Sequence, residues 1–248
     1  MLAPNASPMT LDGTNTWILR EPGAHRSLVI DPGPLEAGHL DRVGQVCGPV
    51  GAVLLTHGHL DHSESARAFA ERMGCGVRAL DPELACGDEV LSDGDVVEVD
   101  GLELRVVATP GHTSDSLSFV LPAEHAVLTG DTVLGRGTTV VAHPDGTVGA
   151  YLESLHRLRD LAEARSIKRI WPGHGPVIDQ AIPVLDYYIR HRAERLDQVR
   201  AAVAAGARDA AAVVRSVYAD VDPGLWPAAE LSVRAQLAYL AQGEGLRS

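Results

Sequence analysis

The chain reads as an α+β protein of sandwich type, and three features of its sequence predict this. Apolar runs of strand length recur and end in Gly-containing loops. Helical stretches separate groups of these runs, and from Ile182 onward the pattern turns wholly helical. Four of the loops that follow apolar runs carry histidine or aspartate.

In chain order, Asp12-Gly13-Thr14-Asn15 is a turn before a strand over 16–19, and residues 27–30 form its partner. Asn15 either faces a site or caps the turn. The second strand ends at Asp31-Pro32-Gly33, and a weakly signalled helix covers 35–47. His25 and His39 are expected on the surface. The apolar run 52–55 leads into Thr56-His57-Gly58-His59-Leu60-Asp61-His62, which packs three imidazoles and a carboxylate into six consecutive positions. A helix over 63–73, stopped by Gly74, follows. In an extended turn His57 and His59 point the same way, because side chains alternate. Both can then bind one ion while Asp61 and His62 turn toward another.

Strands are expected over 76–80, 96–99, 102–108, 117–121 and 126–129, with residues 122–125 as a hairpin that leaves His125 on a turn. Thr109-Pro110-Gly111-His112 and Thr129-Gly130-Asp131 follow two of these strands. A Gly- and Thr-rich loop over 135–149 leads to a helix over 150–162, with His143 and His156 expected at the surface. The run 167–170 precedes Trp171-Pro172-Gly173-His174. A lone loop histidine is usually structural, but the same design repeated four times points to ligands. Three helices then follow. The first runs from Ile182 to about Ala205, the second is capped by Asp209 and reaches Tyr218, and the third spans about 226–242.

Of 248 residues, 45% are hydrophobic and 22% charged, enough for an ordinary core. The net charge of −12 disfavours nonspecific attraction to nucleic acid or anionic membrane. Residues 187–248 hold eight Arg against seven acidic groups, so the acidity lies in the preceding part. Cys47, Cys75 and Cys86 have no metal or redox spacing. Together with the absence of a leader-like segment or a membrane-length apolar run, this gives a cytoplasmic expectation and no membrane partner.

With these motifs in view, the chain resembles the metallo-β-lactamase fold superfamily over about residues 14–178. Asp31 resembles its first motif, His57, His59, Asp61 and His62 its H-x-H-x-D-H motif, and His112, Asp131 and His174 the remaining three. The resemblance implies a four-layered αββα sandwich. It also implies one metal set of His57, His59 and His112, and a second of Asp61, His62 and His174 with Asp131 bridging. The cofactors expected are two divalent ions, zinc first, with manganese or iron(II) as alternatives. Asp31, Thr56 and Thr109 are expected behind the ligands, orienting imidazoles. The opening 5–16 and the tail resemble the β-lactamase-like-protein-2 branch. Its tail is winged-helix-like, although residues 243–248 are too few for a full wing. The expected division is a catalytic domain over 1–181 and a helical domain over 182–248.

The implied chemistry is hydrolysis of an ester or thioester by a metal-bridging hydroxide, with Asp61 as the catalytic carboxylate. The alternative is metal-dependent cleavage of single-stranded RNA. Gly58 departs from the glyoxalase II motif. The 42 residues between Asp131 and His174 cannot hold the insert of the polyadenylation nucleases. A small-molecule substrate is the expected partner, short RNA the alternative and a homodimer the candidate assembly. Asn15, Arg190, His191 and Arg192 are the candidate substrate contacts, and the tail is expected beside the mouth of the site.

Overall fold

The computed structural model describes residues 1–245. Two sheets lie face to face. The first orders β1 (Trp17–Leu19), β2 (Ser27–Ile30), β3 (Val50–Leu54) and β4 (Gly76–Arg78) side by side. The second orders β5 (Val96–Val99), β6 (Leu102–Ala108), β7 (Leu117–Leu121), β8 (Ala126–Gly130) and β9 (Arg169–Pro172). Against the outer face of the first sheet lie α1 (Ala37–Cys47) and α3 (Ala66–Met73), with the single turn α2 (Leu60–Ser63) before α3. Against the second lie α4 (Val148–Ala164) and α5 (Ala181–Ala204), and the tail adds α6 (Ala210–Val217) and α7 (Trp226–Gly245). The result is the αββα layering.

Period-two alternation explains the layers. Leu28, Ile30, Leu54, Leu104, Phe119 and Leu128 point between the sheets. Their chain neighbours Val29 and Val53 meet α1 and α3, and Val120 and Val127 meet α4 and α5. Strands buried on both faces read as continuous apolar runs, which is why these were visible in the sequence.

Strand direction positions the chemistry. β2 and β3 run parallel, and so do β8 and β9; β6 is antiparallel to β7, itself antiparallel to β8, so β6 also runs with β8. The C-terminal ends of β2, β3, β6, β8 and β9 precede Asp31, His57, His112, Asp131 and His174 respectively.

Two expectations need correction. The helix after the histidine cluster is not continuous over 63–73. It starts at Leu60 and breaks at Ser65, whose backbone N–H and hydroxyl both donate to Gly33 O, at 3.2 and 2.8 Å. His39 is fully buried, with Nε2 2.9 Å from Thr16 Oγ1, because it shares the inward face of α1 with Leu40, Val43 and Cys47. His25, His125, His143 and His156 are exposed as expected.

The helical tail has two attachments. Ala181, Leu185, Tyr188 and Leu196 of α5, with Ala235 of α7, belong to the core under the second sheet. Val199 and Ala202, farther along α5, pack with Val213, Val214 and Val233 in a small core of the tail's own. Among the described residues no helix is long and apolar enough to cross a membrane.

Candidate metal centre

Four loops converge at one edge of the sandwich and bring together all seven residues expected to bind metal. Three groups have ligand atoms within 4.8 Å of one another: His57, His59 and His112; Asp61, His62 and His174; and His57, His62 and Asp131. In the first set His59 Nδ1 lies 3.1 Å from both His57 Nε2 and His112 Nε2. In the second, His62 Nε2 is 3.2 Å from His174 Nε2, and Asp61 Oδ2 is 3.1 Å from His174 Nε2 and 3.4 Å from His62 Nε2. Asp131 faces both sets: Oδ1 is 3.5 Å from His62 Nε2, and Oδ2 is 3.3 Å from His174 Nε2 and 3.8 Å from His112 Nε2.

Hydrogen bonds behind the rings fix which nitrogen faces the cluster. The Thr56 hydroxyl donates to Asp31 Oδ2 at 2.7 Å, so it accepts from His57 Nδ1 at 3.0 Å. His62 Nδ1 donates to Asp31 Oδ2 at 2.8 Å, His112 Nδ1 to Val140 O at 2.8 Å, and His174 Nδ1 to Gly13 O at 3.1 Å. Each of these four rings therefore holds a proton on Nδ1 and turns Nε2 inward, the atom a metal would take. Asp31 anchors the arrangement, since Oδ1 also accepts from Thr56 N at 2.8 Å.

These residues fit a divalent cation. A tetrahedral ion with bonds of ~2.0–2.1 Å has ligand–ligand edges of roughly 3.3 Å, close to the spacings here. His62 Nε2 and His174 Nε2 converge to 3.2 Å with the Asp61 carboxylate beside both, the grouping of donor atoms that one ion needs. Asp131 Oδ1 is buried without a hydrogen-bond partner among the described residues. Imidazole and carboxylate without thiolate suit zinc and its neighbours.

The electrostatics of the cation-free cluster differ between the sets. Burial, reinforced by His62 and His112, holds His57 well below the ordinary imidazole range. Burial also lowers His112, outweighing the attraction of Asp131. For His62, burial opposes charge but Asp131 and Asp31 overcome it, and its pKa lies well above normal. Burial likewise opposes charge on His174, yet hydrogen bonds to Asp131 and Asp61 raise it to about 9. Burial would raise Asp131, but His62 and His174 hold it well below the usual carboxylate range.

Other expected site residues fall into different places. Thr56 and Asp31 hold imidazoles. Thr109 does not: its hydroxyl pairs with Ser118 Oγ at 3.0 Å and Thr132 Oγ1 at 3.4 Å, because it directly follows β6 and faces β7. Asn15 neither caps its turn nor faces open space. Its amide donates to Pro172 O and Gly175 O at 3.1 and 2.8 Å, bolting the N-terminal loop to the segment bearing His174. Arg190 is exposed and lies 3.9 Å from Glu194. His191 and Arg192 face a cavity beside the cluster.

Sequence reading missed Gly13 and Val140, which act through backbone carbonyls and so have no residue-type signature. It also missed Thr14, whose hydroxyl is 3.3 Å from Asp61 Oδ2. Gly173 was readable only as a loop glycine. A Cβ there would lie 2.5 Å from Asp131 Oδ1 and 2.7 Å from His62 Cε1, so only glycine leaves room for the ligands.

The cluster opens to solvent at His59, the one exposed ligand, with Asp61 half-buried. A groove of about 460 Å³ beside His59 is lined by three carboxylates, Asp81, Asp115 and Asp145, and, among the described residues, by no basic side chain apart from His59 itself.

Comparison with known proteins agrees with this geometry. The family model for the metallo-beta-lactamase superfamily matches residues 9–85 and 86–174, and the model for a beta-lactamase associated winged helix domain matches 210–245. The beta-lactamase-like protein 2 homolog of Drosophila melanogaster is 32% identical over 270 residues, an alignment covering 100% of this chain and 88% of that protein. An atrochrysone carboxyl ACP thioesterase of Aspergillus fumigatus is 35% identical over 208 residues, covering 80% of this chain and 62% of its own length. A crystal structure of a metallo-beta-lactamase family protein from Thermus thermophilus superposes with TM-score 0.80 at 22% identity, covering 98% of this chain and 92% of the other, and shares the fold. With the ligand cluster at the strand ends and two thirds of its length matched by the family model, the chain belongs to the metallo-beta-lactamase superfamily and is a metal-dependent hydrolase.

Proposed function

We propose that the protein is a binuclear zinc hydrolase acting on small ester or thioester substrates. The observation that carries this reading is the shared carboxylate: Asp131 faces both ligand sets across 3.3–3.8 Å. His57, His59 and His112 would hold one ion, and Asp61, His62 and His174 the other. When bound, such a pair supplies an acidified water as nucleophile and Lewis acidity toward the carbonyl under attack. No serine or cysteine nucleophile is then required.

The chain's own residues do the rest. Asp61 is half-buried at the mouth, and its Oδ2 is oriented by the Thr14 hydroxyl at 3.3 Å. It is the carboxylate placed to hold the nucleophile's proton and pass it toward the leaving group. Asp131 fixes the separation of the two sets, and Asp31 with Thr56 keeps the rings from turning.

The groove beside His59 favours an acyl substrate over RNA. Three carboxylates line the approach to the most exposed ligand, which repels a phosphodiester backbone and leaves a neutral thioester or ester unaffected. The thioesterase-named relative supports the same reaction class.

The test is a panel of acyl thioesters, esters, lactones and short single-stranded RNAs, assayed with zinc-reconstituted enzyme. Hydrolysis of the thioesters or esters is expected. RNA cleavage without acyl hydrolysis overturns the substrate class. Elemental analysis that saturates at one ion per chain, where two are expected, overturns the binuclear reading.

A further inference from the structure

Between α5, the 137–140 segment and the helical tail lies a cavity of about 400 Å³, within the range that holds small ligands. Its apolar lining includes Met9, Leu225, Ala228 and Ala229. It is also lined by three basic residues, His191, Arg192 and Arg195, and by no carboxylate among the described residues.

The charge of Arg192 is the anomaly. This residue is only 6% exposed, and burying a cation is costly unless it is paired. Its guanidinium lies 4.8 Å from the centre of the Tyr151 ring, and Nη2 donates to Thr139 O. Nε has no hydrogen-bond partner among the described residues. Arg190 and Arg200 on the same helix have carboxylate partners, Glu194 and Asp197. Among the described residues neither Arg192 nor Arg195 has one; Arg195 lies over the Tyr218 ring at 4.4 Å and donates to neutral oxygens of Gln198 and Val217. His191 Nδ1 is buried and likewise unpartnered among the described residues. In a chain of net charge −12, a pocket with buried positive charge and no carboxylate partner among the described residues has the charge to receive an anion.

Position links the pocket to the metal centre. Val140 lines it and accepts from His112 Nδ1 at 2.8 Å, while Thr139 lines it and donates from its hydroxyl to Asp131 O. Met9 lies four residues before Gly13, the acceptor for His174.

We propose that this cavity binds an amphiphilic carboxylate, its anionic end at Arg192, Arg195 and His191 and its apolar body against Met9, Leu225, Ala228 and Ala229. Two sources share that chemistry. One is the far end of the substrate's own acyl group, which rests on the reading above; the other is a separate carboxylate effector.

Calorimetric titration of the metal-loaded protein with sodium hexanoate, and with hexanamide as the uncharged match, tests it. Hexanoate is expected to bind roughly ten-fold or more tightly than hexanamide. Arg192→Gln and Ala228→Phe should each lose that advantage, the first by removing charge and the second by filling the cavity. Arg195→Gln stands in if Arg192→Gln fails to fold. Hexanoate bound equally well by all variants, as a carboxylate held at the metals would be, overturns the proposal, and so does equal binding of the two probes. Hexanoate raising KM at constant kcat assigns the site to the substrate's acyl end, and a change in kcat at constant KM assigns it to an effector. Both support the site. The titration needs no turnover, so failure of the thioester reading and failure of the carboxylate site are separately visible.

Discussion

The two halves of the metal centre use the same ligand chemistry but are anchored differently. His57 and His112 donate to neutral oxygens, the Thr56 hydroxyl and the Val140 carbonyl, and His59 stands exposed between them. The other half is steeped in negative charge: His62 donates to Asp31, His174 lies 3.1 Å from Asp61, and Asp131 faces both rings. Negative charge strengthens a cation site and equally strengthens its hold on protons. A metal entering the first half therefore meets His57 and His112 held neutral, while one entering the second must displace protons from His62 and His174.

The largest expected effect comes from Asp61→Asn. It should lower kcat by roughly a hundred-fold or more while one equivalent of metal stays bound at His57, His59 and His112. Kinetics paired with elemental analysis check this, and near-normal turnover with two ions bound removes Asp61 from its role. Asp31→Ala should follow. It frees His62 directly and His57 only through Thr56, so metal affinity of the second half should fall by about 10–100-fold and that of the first by less. Competition with a chromophoric chelator resolves the two steps.

The pH dependence is next. His174, raised to about 9, keeps its proton at neutral pH, and metal binding must expel it. Affinity of the second half should thus fall by about ten-fold per pH unit below that value for each such proton. The first half, in which His57 and His112 are lowered, should hold its ion to more acid pH. Titrations at several pH values that weaken both halves in parallel break the comparison. The smallest effect is expected for Thr56→Val, which removes the acceptor for His57 Nδ1. A loss of several-fold in first-half affinity should appear with the second half nearly unchanged, except through the lost Thr56–Asp31 bond.

The ligands were readable because metal chemistry needs particular side chains, and strand–loop–helix architecture puts them at fixed places beside apolar runs. His57, His59, Asp61 and His62 lie within six positions, and His112, Asp131 and His174 each follow a run that forms a buried strand. Residues acting through side-chain size or backbone atoms were not readable. Thr109 looked like Thr56, since both precede a ligand loop, yet the end of β6 turns its hydroxyl to Ser118 while the end of β3 turns that of Thr56 to Asp31. His39 was legible in principle, as it shares one helical face with Val43 and Cys47.

The sequence by itself determined the α+β sandwich class, the four ligand-bearing loops and the helical character of the tail, each from local periodicity or residue chemistry. The four-layer arrangement and the division of the seven ligands into two sets came from the family resemblance. Only the tertiary structure decided that Gly13 and Val140 hold ligand rings, that Asn15 ties two distant loops together, and that Arg192 is buried against Tyr151 beside an apolar cavity. Those contacts join residues 28 to 161 positions apart or more than one helix, and such distances leave no periodic trace in a chain. Packing alone brings them together.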